Sequence, residues 1–168
     1  MRIVDLDSAD AAGSAQMLAV LRELRPHLTA DSFAAVLAEG APQGLRFTGV
    51  YDADRCLAVA GWRVVATTSA LRKLYVDDLV TAPHARSRGV GRLLLTELRK
   101  RARAAGCAIV DLDSGVTRFD AHRFYLREGM HIQAHHFVLP LRPATAEPLP
   151  TPVEQPTYGA GRPGQVTG

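Results

Sequence analysis

The stretch from Val76 to Gly91, Val-Asp-Asp-Leu-Val-Thr-Ala-Pro-His-Ala-Arg-Ser-Arg-Gly-Val-Gly, restricts the fold more than any other part of the chain. A strand pattern over residues 73–80 breaks at Pro83, passes through an Arg- and Gly-rich loop and opens an amphipathic helix. Leu94, Leu98, Ala102 and Ala105 line one face of that helix, and Arg92, Thr96, Arg99 and Arg103 the other. Gly106 ends it, and Cys107-Ala108-Ile109-Val110-Asp111-Leu112 follows as a nearly continuous apolar run. Strand, crossover helix and apolar strand make a right-handed parallel unit, so residues 73–80 and 107–112 are expected to lie parallel. The glycine loop then falls at the carboxyl end of the first strand, where open sheets place ligands.

The loop itself is built for an anion. Gly89 and Gly91 let the backbone turn tightly and bring several N–H groups together where the helix leaves its first donors unpaired. Such a terminus holds phosphate readily, and Arg86, Arg88 and Arg92 add positive charge. Two phosphate loops are excluded. A P-loop needs Gly-Lys-Ser/Thr where this chain has Gly91-Arg92-Leu93, and the dinucleotide fingerprint needs a third glycine at Leu94. A plain glycine turn joining strand to helix remains the bland alternative for six residues taken alone.

The rest of the chain supplies context. Residues 2–5 read as a strand, and Ser8 or Asp10 can cap a helix with Met17, Leu18, Leu21 and Leu24 on one stripe, ending near Leu24 because Pro26 follows. Thr29 can cap a second helix closed by Gly40. Residues 45–51 and 56–67 read as a hairpin about the turn 52–55, and with residues 73–80 they form an antiparallel meander. Asp120 reads as the N-cap of a short helix, stapled by Phe119 and Phe124 and ended by Gly129. Residues 131–139 alternate loosely as a last strand.

The chain has 168 residues, 47% of them hydrophobic, which suits one domain, expected over residues 1–140. Residues 141–168 hold six prolines and four glycines and little apolar bulk, and are expected to be a disordered tail. A net charge of +3, carried by 18 Arg and two Lys, is compatible with a polyanionic ligand or with nucleic acid and does not choose between them. Two cysteines without C-x-x-C spacing, no signal-like N-terminus and no membrane-length apolar run lead to the expectation of a reduced, cytoplasmic protein without a membrane partner. Cys107 reads as a core thiol rather than a nucleophile. His131 and His135 would share a strand face, but nothing completes a metal set, so no metal is expected.

Arg86-Ser87-Arg88-Gly89-Val90-Gly91 resembles the acyl-coenzyme A loop of the GNAT superfamily of N-acetyltransferases, and a second motif completes the resemblance. Ala121, Phe124, Tyr125, Gly129 and Met130 match in register the A-x-x-F/L-Y-x-x-x-G-F pattern of the helix that follows the family's fifth strand. The resemblance implies a mixed α/β sheet, mostly antiparallel, splayed between two parallel central strands to admit acetyl-CoA, with helices on both faces. It implies that Leu79, Val80 and Thr81 offer backbone groups to the pantetheine arm, and that the loop from Arg86 through Ser87, Arg88, Gly89, Val90 and Gly91 to Arg92 holds the pyrophosphate. Many members carry an Asn near Ser114, which could replace its hydrogen bond. Arg118, Arg123 and Arg127 are candidates to meet the 3′-phosphate, or are simply solvated. His27 lies in the join that borders the family's acceptor site.

The implied reaction sets the remaining expectations. An alkylammonium with a pKa of about 10.4 must lose a proton before it attacks a thioester, and a carboxylate can take it. Asp77 and Asp78 are the candidate bases, of which strand alternation allows only one to face the site. Tyr125 resembles the family's tyrosine beside the coenzyme A sulfur. The expected function is acetyl transfer from acetyl-CoA to a primary amine on a small molecule or a protein, by direct attack in a ternary complex. A non-catalytic acyl-CoA-binding or regulatory module is the alternative. A homodimer is left open, and nucleic acid is not an expected partner.

Overall fold

The computed structural model describes residues 1–7 and 10–141. Residues 1–136 belong to one compact unit; residues 137–141, the described part of the remainder, contain no helix or strand. Apart from Leu141, the tail expected at 141–168 lies outside the described residues.

The elements run β1 (Arg2–Asp5), α1 (Ala11–Leu21), α2 (Ala30–Gly40), β2 (Arg46–Asp52), β3 (Arg55–Thr67), β4 (Leu71–Thr81), a 3-10 turn (Pro83–Ala85), α3 (Val90–Ala104), β5 (Ile109–Leu112) and α4 (Phe119–Arg127). The sheet keeps the sequence order β1-β2-β3-β4-β5. The first four strands pair antiparallel, as short connections dictate. β5 joins β4 in parallel, with Lys73 opposite Ile109 and Val76 opposite Leu112, and α3 is the crossover. The mixed sheet and its parallel β-α-β unit agree with the expected fold.

Each face of the sheet has its own cover. Phe47 on β2 meets Phe33 on α2 edge to face with ring centroids 5.2 Å apart, a geometry worth roughly 0.5–1.5 kcal/mol beyond the area it buries. Met17 of α1 reaches the same face near Gly49. On the other face Leu94, Leu98 and Ala102 of α3 are buried against the sheet. There Thr48 is the one fully buried polar side chain among the described core residues, and its hydroxyl is satisfied: it donates to Asp5 (2.7 Å) and accepts from the Trp62 indole (2.9 Å). Arg101 caps this network through Asp5 at 2.7 Å. α4 lies alongside α3, held by an Arg92–Glu128 ion pair of 2.9 Å, with the Phe124 ring 3.6 Å from where a side chain on Gly91 would begin.

Local signals placed most element ends. Asp10 accepts from the Gly13 amide at 2.9 Å, and Thr29 forms a capping box with Ser32. Three expectations need correction. α1 stops at Leu21, not near Leu24, because its last carbonyls are taken by tight turns from Glu23 and Leu24 ahead of Pro26. Arg118 rather than Asp120 stands at the N-cap of α4, with no side chain capping the helix: a turn closed by Arg118 N–H on the Gly115 carbonyl starts the helix early. Phe119, 63% exposed, therefore staples nothing. Residues 131–139 form no strand. A strand is stabilised by its cross-strand pairs, and no described strand pairs with this segment.

Candidate functional site

β4 carries an irregularity at its centre. Asp78 sits opposite Gly61 and Val76 opposite Trp62, so Asp77 is an extra residue inserted between two successive partners on β3. Cross-strand partners face the same side, and Gly61 and Arg63, two apart on β3, share a face. Asp78 lies against Gly61 and Asp77 reaches Arg63, so both carboxylates point to the α1/α2 face. Strand alternation, which allowed only one of them to face the site, is broken by the bulge. Gly61 makes the room: a methyl group there would sit 2.9 Å from the Phe47 ring and 3.3 Å from Asp78 Oδ2.

What separates the two aspartates is their partners. Arg63 grips Asp77 with two parallel bonds, Nε to Oδ2 at 3.0 Å and NH2 to Oδ1 at 2.7 Å, which occupies both oxygens. Asp78 receives one bond, from Nε of Arg25 at 3.1 Å, and only 18% of its side chain is exposed. Burial raises the Asp78 carboxyl above its ordinary pKa of 3.8, and the Arg25 guanidinium offsets part of that rise. Asp77 is an ion-pair partner; Asp78 has a free oxygen and a raised proton affinity.

Tyr125 and Ser114 come from the segments after β5. Burial raises the Tyr125 phenol above 10, so it is protonated at neutral pH, and the Arg118 charge pulls against that rise. The same Arg118 charge acts on Asp78, so one guanidinium lies within electrostatic reach of both groups. Ser114 Oγ is buried with no hydrogen-bond partner among the described residues. An unpartnered buried hydroxyl is a place where a ligand can supply the missing bond.

The loop ahead of α3 has the strained turn its glycines predict. Ser87 and Gly89 take positive φ values of 61° and 78°, and Gly89 stands at the N-cap with no side chain capping the helix. The first helical bond runs from the Leu93 amide to the Gly89 carbonyl, and the amides of residues 88–92 donate to no acceptor among the described residues. Two of the three expected arginines are engaged within the fold. Arg86 meets the Thr81 carbonyl at 3.4 Å and Glu23 at 3.7 Å, while Arg92 pairs with Glu128. Arg88 alone of the three makes no ion pair among the described residues.

Between these groups runs an open strand edge. β4 loses its parallel partner after Val76 and continues to Thr81, so Leu79, Val80 and Thr81 have no described strand on the β5 side. Gly91 lies behind them, with its side-chain position 3.4 Å from the Thr81 hydroxyl. A separate cleft of about 420 Å³, between α1 and the β2–β3 turn and lined in part by Gln16, Glu23, Asp54 and His84, contains none of these residues. Among the described residues no group of three or more His, Cys, Asp or Glu side chains is arranged to hold a metal, and no helix is long and apolar enough to cross a membrane.

Sequence comparison decides the family. Residues 15–130 match the model of the acetyltransferase (GNAT) family. The chain belongs to the GNAT acetyltransferases. An uncharacterized N-acetyltransferase of Bacillus subtilis, YhdJ, is 31% identical over 129 residues, 76% of this chain and 91% of that protein. The aminoalkylphosphonate N-acetyltransferase of Salmonella typhimurium is 42% identical over 60 residues, 36% of this chain and 38% of that protein. Among solved structures, an acetyltransferase of Trypanosoma brucei superposes with a TM-score of 0.66 at 22% identity, covering 83% of this chain and 99% of that one. An aminoglycoside acetyltransferase from a soil metagenome reaches 0.70 at 15% identity, covering 84% and 96%. These two share the GNAT fold.

Two site residues were invisible to sequence reasoning: Arg63 and Gly61 sit on β3, and only the β3–β4 register brings them to the aspartates. Arg25 lies in the helix join expected to border the acceptor, but its pairing with Asp78 could not be read from the sequence.

Proposed function

We propose that this GNAT enzyme moves an acetyl group from acetyl-CoA to a primary amine by direct attack within a ternary complex. The observation that carries the reading is the open edge of β4, which starts at a largely buried carboxylate, Asp78, and ends at the uncapped N-terminus of α3. The donor fits these residues: amides 88–92 and Arg88 suit a diphosphate, the edge of Leu79, Val80 and Thr81 suits an amide-bearing arm, and Ser114 Oγ lacks a partner. Acetyl-CoA supplies an acyl carbon activated by a thiol leaving group.

The chain's own residues handle the protons. Asp78, its proton affinity raised by burial, accepts a proton from the ammonium, directly or through a water, and frees the nitrogen lone pair. Its partner Arg25 holds the carboxylate in place by one bond and leaves the second oxygen available. Tyr125, protonated at neutral pH, gives a proton to the departing sulfur as the C–N bond forms and the C–S bond breaks. Two protons leave the amine nitrogen; one passes through Asp78 to solvent and the other restores Tyr125. Asp77, held by Arg63, keeps the bulge in shape and takes no part in proton transfer.

A thiol-release assay with acetyl-CoA tests this across ω-amino acids, aminoalkylphosphonates, polyamines, aminoglycosides and lysine peptides, with acetyl-CoA binding measured separately by calorimetry. Saturable release with one amine class is expected. Background release with every amine, while acetyl-CoA still binds, would replace the enzyme by a non-catalytic acyl-CoA-binding module.

A further inference from the structure

Two arginines beside the anion loop are paired with glutamates, and the two pairs are unlike. Arg92 meets Glu128 at 2.9 Å, and that acid side chain is only 8% exposed. Arg86 meets Glu23 at 3.7 Å, with 59% and 40% of the two side chains exposed. Its one other side-chain bond among the described residues is also long, Nε to the Thr81 carbonyl at 3.4 Å. Stripping the cation from a buried acid is costly, so Arg92 stays with Glu128. An exposed, long ion pair contributes little and exchanges readily.

Arg86 stands where an exchange would matter. Only Ser87 separates it from the first free amide, at residue 88, and its guanidinium covers the carbonyl of Thr81, the last residue of the open β4 edge. A diphosphate on amides 88–92 would offer that guanidinium several anionic oxygens at once, a match that a single 3.7 Å contact does not make.

Glu23 is not free to follow. It lies in the turn between α1 and α2, where its amide bonds to the Val20 carbonyl at 3.1 Å, and the amides of Leu24 and Arg25 bond to Leu21 at 2.9 and 2.8 Å. Arg22 closes the same turn through the Leu28 carbonyl at 2.8 Å, and Arg25 ties it to Asp78 at 3.1 Å. Opening the pair is therefore a swing of Arg86 alone. The Glu23 carboxylate stays behind as a lining group of the cleft beside α1, where solvent reaches it.

We propose that Glu23 is a positioning residue for the donor: it holds Arg86 off the anion loop in the free protein and yields it to the diphosphate of acetyl-CoA. This rests on the reading of the α3 N-terminus as the donor's phosphate site and says what tunes that site. Every donor that engages Arg86 must first break the pair, so Glu23 sets affinity by competition. Acetyl-CoA and CoA carry the same diphosphate and are weakened alike, which changes binding without acting on the acyl-transfer step.

The test is calorimetry of acetyl-CoA and of CoA with wild type, Glu23→Gln, Arg86→Gln and the double variant, beside thermal midpoints of the free proteins. Glu23→Gln should tighten both ligands about twofold to fivefold, the range of an exposed ion pair. Arg86→Gln should weaken both roughly tenfold, and in that background Glu23→Gln should have little further effect. In thiol release, Glu23→Gln should lower the KM for acetyl-CoA more than it changes kcat. A glutamate that serves only the fold would give a lower midpoint with binding unchanged or weaker, and that result overturns the proposal. Equal tightening in both backgrounds overturns it too, because Glu23 would then repel the phosphates directly instead of holding Arg86. Either result leaves the donor reading standing. If no amine releases thiol, the calorimetric cycle decides alone. If acetyl-CoA binds to none of the four proteins, the donor reading fails and the proposal fails with it.

Discussion

The two ends of the open β4 edge offer a ligand different kinds of group. At the α3 end the work falls to backbone: amides 88–92 are free while Arg86 and Arg92 are spent on Glu23 and Glu128. At the bulge it falls to side chains, and two adjacent aspartates of equal chemistry are made unequal by their partners. A backbone site depends on φ and ψ, so its sensitive positions are glycines. A side-chain site depends on which carboxylate is left unpaired, so its sensitive positions are charges.

The largest effect should divide the aspartates. Asp78→Asn is expected to lower kcat/KM about 10²- to 10⁴-fold, the range of a lost general base. Asp77→Asn should leave turnover nearly intact and lower the thermal midpoint, because it leaves Arg63 one acceptor in place of two and sets an amide NH2 against the other guanidinium N–H. Equal losses of activity would erase the distinction. The pH dependence follows from the same burial. The Asp78 pKa is raised, so its protonated form is favoured in the fold; that stabilisation is complete below the ordinary carboxyl value and is lost as pH rises through the folded pKa. The acidic limb of kcat/KM should lie above the ordinary 3.8 and vanish in Asp78→Asn. That variant should also gain stability relative to wild type on going from pH 3 to pH 7, read from thermal midpoints.

A smaller effect is expected at Tyr125. Tyr125→Phe should reduce kcat roughly tenfold, the equivalent of one hydrogen bond to a developing charge, with acetyl-CoA affinity unchanged. An unchanged kcat, measured at saturating donor and acceptor, would remove the phenol from proton transfer. At the backbone end Gly89→Ala must hold a φ of 78°, which L residues adopt at a penalty of about 1–2 kcal/mol. It should lower both the thermal midpoint and acetyl-CoA affinity, leaving kcat at saturation alone. If affinity stays the same, the α3 N-terminus is not the anion site.

The same contrast explains what could be read from the sequence. The Gly89-Val90-Gly91 turn, the Thr29 cap of α2 and the β-α-β unit are local, so spacing alone revealed them. The inequality of Asp77 and Asp78 is not local. It arises because β3 and β4 slip by one residue at Gly61, and register is a property of two strands together, which neither strand's own pattern contains. Residues 131–139 show the converse limit: alternation proposes a strand but cannot supply the partner that would make one. Arg118 was noticed for its charge, yet its neighbours depend on how α4 starts, which a turn at Gly115 decides.

The most delicate prediction concerns Ser114, where the free and the bound protein should respond with opposite signs. Its Oγ is buried without a partner, so in the free protein the hydroxyl carries a desolvation penalty that nothing offsets. Ser114→Ala removes the penalty and should raise the thermal midpoint of the free protein, by about 1 kcal/mol of stability. The same change removes a donor and acceptor from the path proposed for the pantetheine arm, so CoA affinity should fall about fivefold, as a loss of that size implies. The gain in midpoint on adding CoA should therefore be smaller in Ser114→Ala than in wild type. A variant that is less stable when free, with unaltered CoA affinity, would mean that the hydroxyl serves the fold and that the bulge end alone holds the site's unpaired polar groups.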